Sequence, residues 1–176
     1  MEKEKKRIFK VLVLGNSSVG KTTLITRYTK GFSPEQYITT LGVNITSYGV
    51  NLGNNSIVFQ IFDIAGQKIF KSFRSKFYEG AFGALLLFDL TNIQSLKDIP
   101  NWKQEFRESS VENSPIVILG NKEDLEKRTI TENMVKEILD SVNISQELYL
   151  ETSALYGLNV KESFELLGTL LLEIYE

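Results

Sequence analysis

The sequence predicts a three-layer α/β sandwich built on a mostly parallel sheet. Three observations carry that reading. Short apolar runs alternate with helix-like segments along the whole chain. The central runs LLLFDL and IVIL lack the alternation of a half-exposed strand, as expected of strands covered on both faces. The chemically informative motifs begin where predicted strands stop, and in an open α/β sheet the ligand site lies beyond the carboxyl ends of the strands.

Taken in order, the candidate strands are residues 8–14, 44–51, 57–63, 84–89, 116–119 and 148–151. Residues 51–56 (NLGNNS) have turn chemistry, so the second and third strands are expected to form an antiparallel hairpin. The later strands are separated by segments long enough for helical crossovers and should run parallel. The last helix is announced by Val160, Phe164, Leu167, Leu171 and Ile174, an apolar stripe at helical spacing whose purpose is packing. There is no repeat or linker, and 176 residues suit one domain spanning 1–176 with an ample core.

Composition narrows the chemistry. Hydrophobic residues make up 42% and charged residues 24% of the chain, an ordinary globular balance. No apolar run approaches the roughly 20 residues of a spanning helix. A net charge of −2 argues against general nucleic-acid affinity. The basic start, Lys3 to Arg7, is interrupted by glutamates and reads as a solvated terminus. With 0 cysteines and 0 histidines, thiolate nucleophiles, imidazole bases and the zinc sites built from them are excluded. Carboxylates, amides, hydroxyls, lysine and a hard metal ion remain, which points to phosphates and magnesium.

Gly15-Asn16-Ser17-Ser18-Val19-Gly20-Lys21-Thr22 fits GxxxxGK[ST] between a predicted strand and a predicted helix. Such a loop curls so that successive N–H groups line an anion site at a helix N-terminus. Gly15, Ser17, Ser18, Val19, Gly20, Lys21, Thr22 and the adjoining Thr23 are the candidate nucleotide contacts. Lys21 would place a point charge near the β- and γ-phosphates, and the Thr22 hydroxyl would bind a magnesium ion bridging them. Alone, this loop means a nucleoside triphosphate site and does not separate ATPases, nucleotide kinases and GTPases.

Asp63-Ile64-Ala65-Gly66-Gln67 closes the third strand. Asp63 can hold magnesium, Gly66 can offer its N–H to a γ-phosphate, and Gln67 carries the acceptor and donor needed to orient an attacking water. Thr40 is a candidate magnesium ligand and γ-phosphate contact in the preceding loop, with Thr39 as its immediate rival. After the fifth strand, Asn121-Lys122-Glu123-Asp124 offers a carboxylate, Asp124, able to accept from the guanine N1–H and amine; adenine presents no such pair. Asn121 would tie this loop to its neighbours and the Lys122 stem would pack along the base. Glu151-Thr152-Ser153-Ala154 ends the sixth strand, where the Ala154 N–H, beside Ser153, can reach the guanine O6.

The ordered set GNSSVGKT, TLGVN, DIAGQ, NKED and ETSA resembles the Ras superfamily across nearly the whole chain. FQIFDIAGQ, KSFRS, FYEGAFGALLLFDLT and Trp102 look like the Rab branch. The resemblance implies a P-loop NTPase G domain: six strands, one of them antiparallel, with five helices on both faces. It further implies a monomeric switch that binds GTP or GDP with Mg2+ and hydrolyses GTP, in vesicle-trafficking-type or other regulatory signalling. Carried over residue by residue, Gln67 orients the water, with Lys21 as its catalytic partner; Thr22 and Thr40 ligate magnesium, supported by Asp63. Effectors, an exchange factor and a GTPase-activating protein would engage residues 33–43 and 65–78. No arginine lies between 28 and 73, so slow unassisted turnover is expected.

Several positions depart from the family pattern. Ser33 stands where an aromatic residue usually stacks on guanine, with Phe32 one place away; Leu155 replaces a base-covering lysine; Lys68 replaces a glutamate. The sequence stops at Glu176 without cysteine and residue 2 is glutamate, so neither prenylation nor N-myristoylation is expected. The expected location is the cytoplasm, peripheral to membranes only through partners. A guanine-nucleotide-binding interaction module without turnover is the alternative. A P-loop phosphotransferase is the other rival, but it would have no use for NKED and usually carries an arginine-rich lid.

Overall fold

The computed structural model describes residues 7–31, 42–67 and 71–175. Strand β1 (Arg7–Gly15) leads through the phosphate-type loop into helix α1 (Lys21–Lys30). Strands β2 (Val43–Leu52) and β3 (Asn55–Ile64) form the antiparallel hairpin, paired from Val43↔Ile64 to Leu52↔Asn55. Each runs further into the turn than the sequence suggested, leaving Gly53 and Asn54 as a two-residue connection.

Helix α2 (Lys71–Arg74) and a 3₁₀ turn (Ser75–Phe77) precede β4 (Gly83–Asp89). The next helical segment comes in two pieces, α3 (Ile93–Lys97) and α4 (Ile99–Arg107). Pro100 explains the division, because it lacks the N–H that would bond back to the preceding turn. Strand β5 (Ile116–Asn121), helix α5 (Glu132–Ser141), strand β6 (Tyr149–Thr152) and helix α6 (Val160–Tyr175) complete the order. Among the described residues no helix is long and apolar enough to cross a membrane.

The strands lie in the order β2-β3-β1-β4-β5-β6, with β2 the antiparallel member. From β1 the chain first moves to one side of the sheet and then to the other, so the order reverses at β1. A crevice therefore opens at its carboxyl end. Alternate residues of β1 serve opposite layers. Leu12 and Leu14 join α3, α4 and α5 through Leu96, Trp102, Phe106 and Val135. Val11 and Val13 join α1 and α6 through Leu24, Phe164, Leu167 and Leu171. Every residue of β4 and β5 is buried, which is the physical content of their unbroken apolar runs.

One detail of the α6 stripe differs from expectation. Val160, Phe164, Leu167 and Leu171 are buried, but Ile174 is 44% exposed. At 3.6 residues per turn the stripe drifts, so four residues beyond Leu171 the inward position falls to Tyr175. Its ring packs edge-on against Phe82 with centroids 5.1 Å apart.

Candidate nucleotide site

The loop between β1 and α1 is the centre of the site. Gly20 takes a φ of 102°, closed to ordinary side chains, and an added Cβ would sit 2.3 Å from the Asn121 amide nitrogen. Lys21 opens α1 and folds back over the loop, where its Nζ donates to the carbonyls of Gly15 (2.9 Å) and Asn16 (2.8 Å). Burial pushes this ammonium down to about 8; the Asp63 charge opposes that shift and the Arg74 charge adds to it. Val19 is buried in the core and anchors the loop from below, while Ser17, Ser18 and Thr23 are exposed.

At the end of β3 the Thr22 hydroxyl donates to Asp63 Oδ2 at 2.5 Å. Asp63 is 3% exposed, and its carboxylate opposes the downward shift of Lys21. Gly66 approaches the loop so closely that a Cβ would lie 2.3 Å from the Gly15 oxygen and 2.6 Å from the Ser17 nitrogen. Hydroxyl and carboxylate oxygens of this kind are hard donors suited to Mg2+, which commonly takes only one or two protein ligands and completes its shell with phosphate and water. Among the described residues no cluster of three or more acidic, histidine or cysteine side chains offers a metal cage.

On the other flank, Asn121 joins three segments. Its Nδ2 donates to the Val19 carbonyl at 2.8 Å, and its Oδ1 accepts from Thr152 Oγ1 and from the Ala154 N–H at 3.0 Å each. The expected tying role of Asn121 is thus visible atom by atom. Ser153 Oγ donates to Asp124 Oδ1 at 2.6 Å, aligning that carboxylate at the same rim. Since the Ala154 N–H already serves Asn121, a base oxygen would have to share that donor.

Some expected residues behave differently or lie elsewhere. The Lys122 ammonium pairs with Asp89 Oδ2 at 2.6 Å, at the end of β4. Desolvation raises the Asp89 carboxyl, but hydrogen bonds from Lys122 and Thr91 outweigh it and hold the group below its usual range. Leu155, in the place of a lysine, is 49% exposed. Ser33, Thr39, Thr40 and Lys68 fall outside the described residues, as does most of the 33–43 segment.

Sequence reasoning missed a second tier of residues. Asn16 donates to Asp98 Oδ2 and accepts from Trp102 Nε1, both at 2.7 Å. Arg74, 3% exposed, reaches Glu105 and the Gln67 carbonyl. An acid closing an apolar strand was a readable signal for Asp89; nothing in the spacing signalled Arg74, because its side-chain partners Glu105 and Trp102 lie on another helix.

A Ras family model matches residues 10–173, nearly the whole chain and every motif described above. The chain belongs to the Ras family. Among its relatives, the Ras-related protein Rab-11C of Dictyostelium discoideum is 37% identical over 169 residues, covering 96% of this chain and 74% of that protein. The GTP-binding protein ypt1 of Schizosaccharomyces pombe is 35% identical over 165 residues, covering 93% of this chain and 80% of the relative. The Ras-related protein RABA4b of Arabidopsis thaliana is 36% identical over 169 residues, covering 96% and 73% respectively. This Ras-family chain is therefore Rab-like, a small GTPase that takes a guanine nucleotide.

Proposed function

We propose that this Ras-family protein is a Mg2+-dependent switch that hydrolyses GTP slowly and works in regulation of the vesicle-trafficking type. The observation that carries the reading is that the phosphate-type loop is hydrogen-bonded on both flanks. Thr22 reaches Asp63 on one side, and Val19 receives Asn121 on the other. Triphosphate, metal and base contacts then occupy one continuous rim. Guanine selectivity follows from Asp124, whose carboxylate accepts from two donors that adenine lacks.

In this reading Lys21 and the N–H groups of residues 15–22 hold the phosphates and balance the charge that develops on them. Thr22, Thr40 and Asp63 hold the magnesium ion, which when bound polarises the phosphate oxygens. Gln67 orients a water in line with the bond from the γ-phosphorus to the bridging oxygen. Attack breaks that bond, GDP keeps the bridging oxygen, and phosphate leaves with the water's oxygen. Loss of the γ-phosphate removes the acceptor for Gly66, which frees residues 65–78 to report the change to effectors and regulators.

The test is single-turnover phosphate release from the purified chain loaded with GTP and Mg2+. The parent should turn over slowly, Gln67→Leu should be slower by about a hundredfold, the scale of a lost positioning contact, and ATP should not compete with GTP. Fast unassisted release, or none at all above the spontaneous rate, would refute the switch; the latter result would leave a nucleotide-binding module. A Gln67→Leu variant as fast as the parent would remove Gln67 from its role.

A further inference from the structure

Beside the rim lies a buried cation, Arg74. The Arg74 guanidinium is 3% exposed and lies over the Trp102 ring, 4.2 Å from its centroid. Its Nε and Nη2 donate to the two oxygens of Glu105 on α4, at 3.0 Å each, a bidentate fork. One further group, Nη1, points the other way and donates to the Gln67 carbonyl at 3.1 Å. Helix α2 has only 4 residues, about one turn.

The seat of that arginine is itself tied to the phosphate loop. Trp102 Nε1 donates to Asn16 Oδ1, and Asn16 Nδ2 donates to Asp98 at the junction of α3 and α4. One indole therefore supports Arg74 on its face and grips the loop with its edge. Asn16, Trp102, Arg74 and Gln67 form an unbroken chain of contacts. The carbonyl of Gln67 is thereby located relative to the loop that would carry the phosphates.

We propose that Arg74 is a positioning residue for Gln67, holding the glutamine's backbone against the Trp102–Glu105 seat so that its amide is presented to the attacking water. The proposal rests on the hydrolytic role given to Gln67 above. A buried ion pair that merely fastened α2 to α4 would contribute to stability without regard to residue 67. A positioning arginine acts on the rate and only through that glutamine. Lysine cannot substitute, because a single ammonium lacks the planar fork needed to serve Glu105 and the Gln67 carbonyl together.

The experiment is a double-mutant cycle on the full chain loaded with GTP and Mg2+. Single-turnover hydrolysis, GDP dissociation and Tm are measured for Arg74→Lys, Gln67→Leu and their combination, with Glu105→Gln as a milder disturbance of the same seat. Arg74→Lys is expected to slow hydrolysis about ten- to a hundredfold, the scale of a misplaced catalytic group, with GDP dissociation unchanged. Glu105→Gln should lie between it and the parent, and Arg74→Lys should add nothing in the Gln67→Leu background. A parental rate in Arg74→Lys while Gln67→Leu is slow overturns this inference and leaves the switch intact. So do losses that multiply in the double variant, or a slower rate matched by faster GDP release and a lower Tm. A parental rate in Gln67→Leu overturns this inference together with the hydrolytic role given to Gln67.

Discussion

Asn121 and Lys122 are neighbours in the chain and do opposite things. The amide points inward to the phosphate loop and β6, with all its bonds made to protein. The ammonium turns to Asp89 at the end of β4. Asp89 is 9% exposed at its side chain and Lys122 30%, so the pair exceeds a surface ion pair in strength; we assign it about 1–2 kcal/mol. The folded Asp89 carboxyl is held below its normal value. Its contribution is therefore fully present above the unfolded carboxylate pKa of about 3.9 and is lost as pH falls through the lower folded value. Lys122→Met should lower the urea midpoint at neutral pH, and the gap from the parent should close as the solution is made acid. A gap that persists at low pH would assign the loss to packing.

At the scale of elements, the α6 stripe and the fully buried β4 and β5 were legible because burial dictates composition along a whole segment. Phe164 shows what the stripe does: it is 0% exposed and stacks on Tyr28 of α1 with centroids 3.9 Å apart and planes 4° from parallel. Phe164→Ala should cost about 3–5 kcal/mol, read from equilibrium urea unfolding, because α1 and the sheet cannot both close on the space. A loss of a few tenths would mean that the layer collapses freely. Less legible were the short pieces. Four residues of α2 carry no periodicity, and the break between α3 and α4 was not anticipated although Pro100 marks it. The same is true of the strand ends, which extend beyond their apolar runs because ladder hydrogen bonds accept polar residues such as Asn121.

The whole molecule places its chemistry at one edge of a rigid sheet, so ligand binding and folding should be strongly linked. A ligand present at about 1,000 times its Kd adds about 4 kcal/mol to the stability of the state that binds it. Stripping nucleotide and Mg2+ should lower Tm by several degrees, about 2–4 °C for each kcal/mol in a domain of this size. GDP with Mg2+ should restore it and ATP with Mg2+ should not; equal rescue by ATP would contradict the role of Asp124. What the sequence determined by itself was the class of fold and the order of the motifs at the strand ends. Those depend on local rules: glycines where backbone must curl, apolar runs where strands are covered, motifs at strand ends. What only the tertiary structure decided was which residues from distant segments meet. The Thr22–Asp63, Asn121–Val19, Lys122–Asp89 and Gln67–Arg74–Trp102 contacts join segments that share no periodicity. Their partners are chosen by the sheet's strand order and by the packing of α4 over it, and a linear pattern carries no record of that choice.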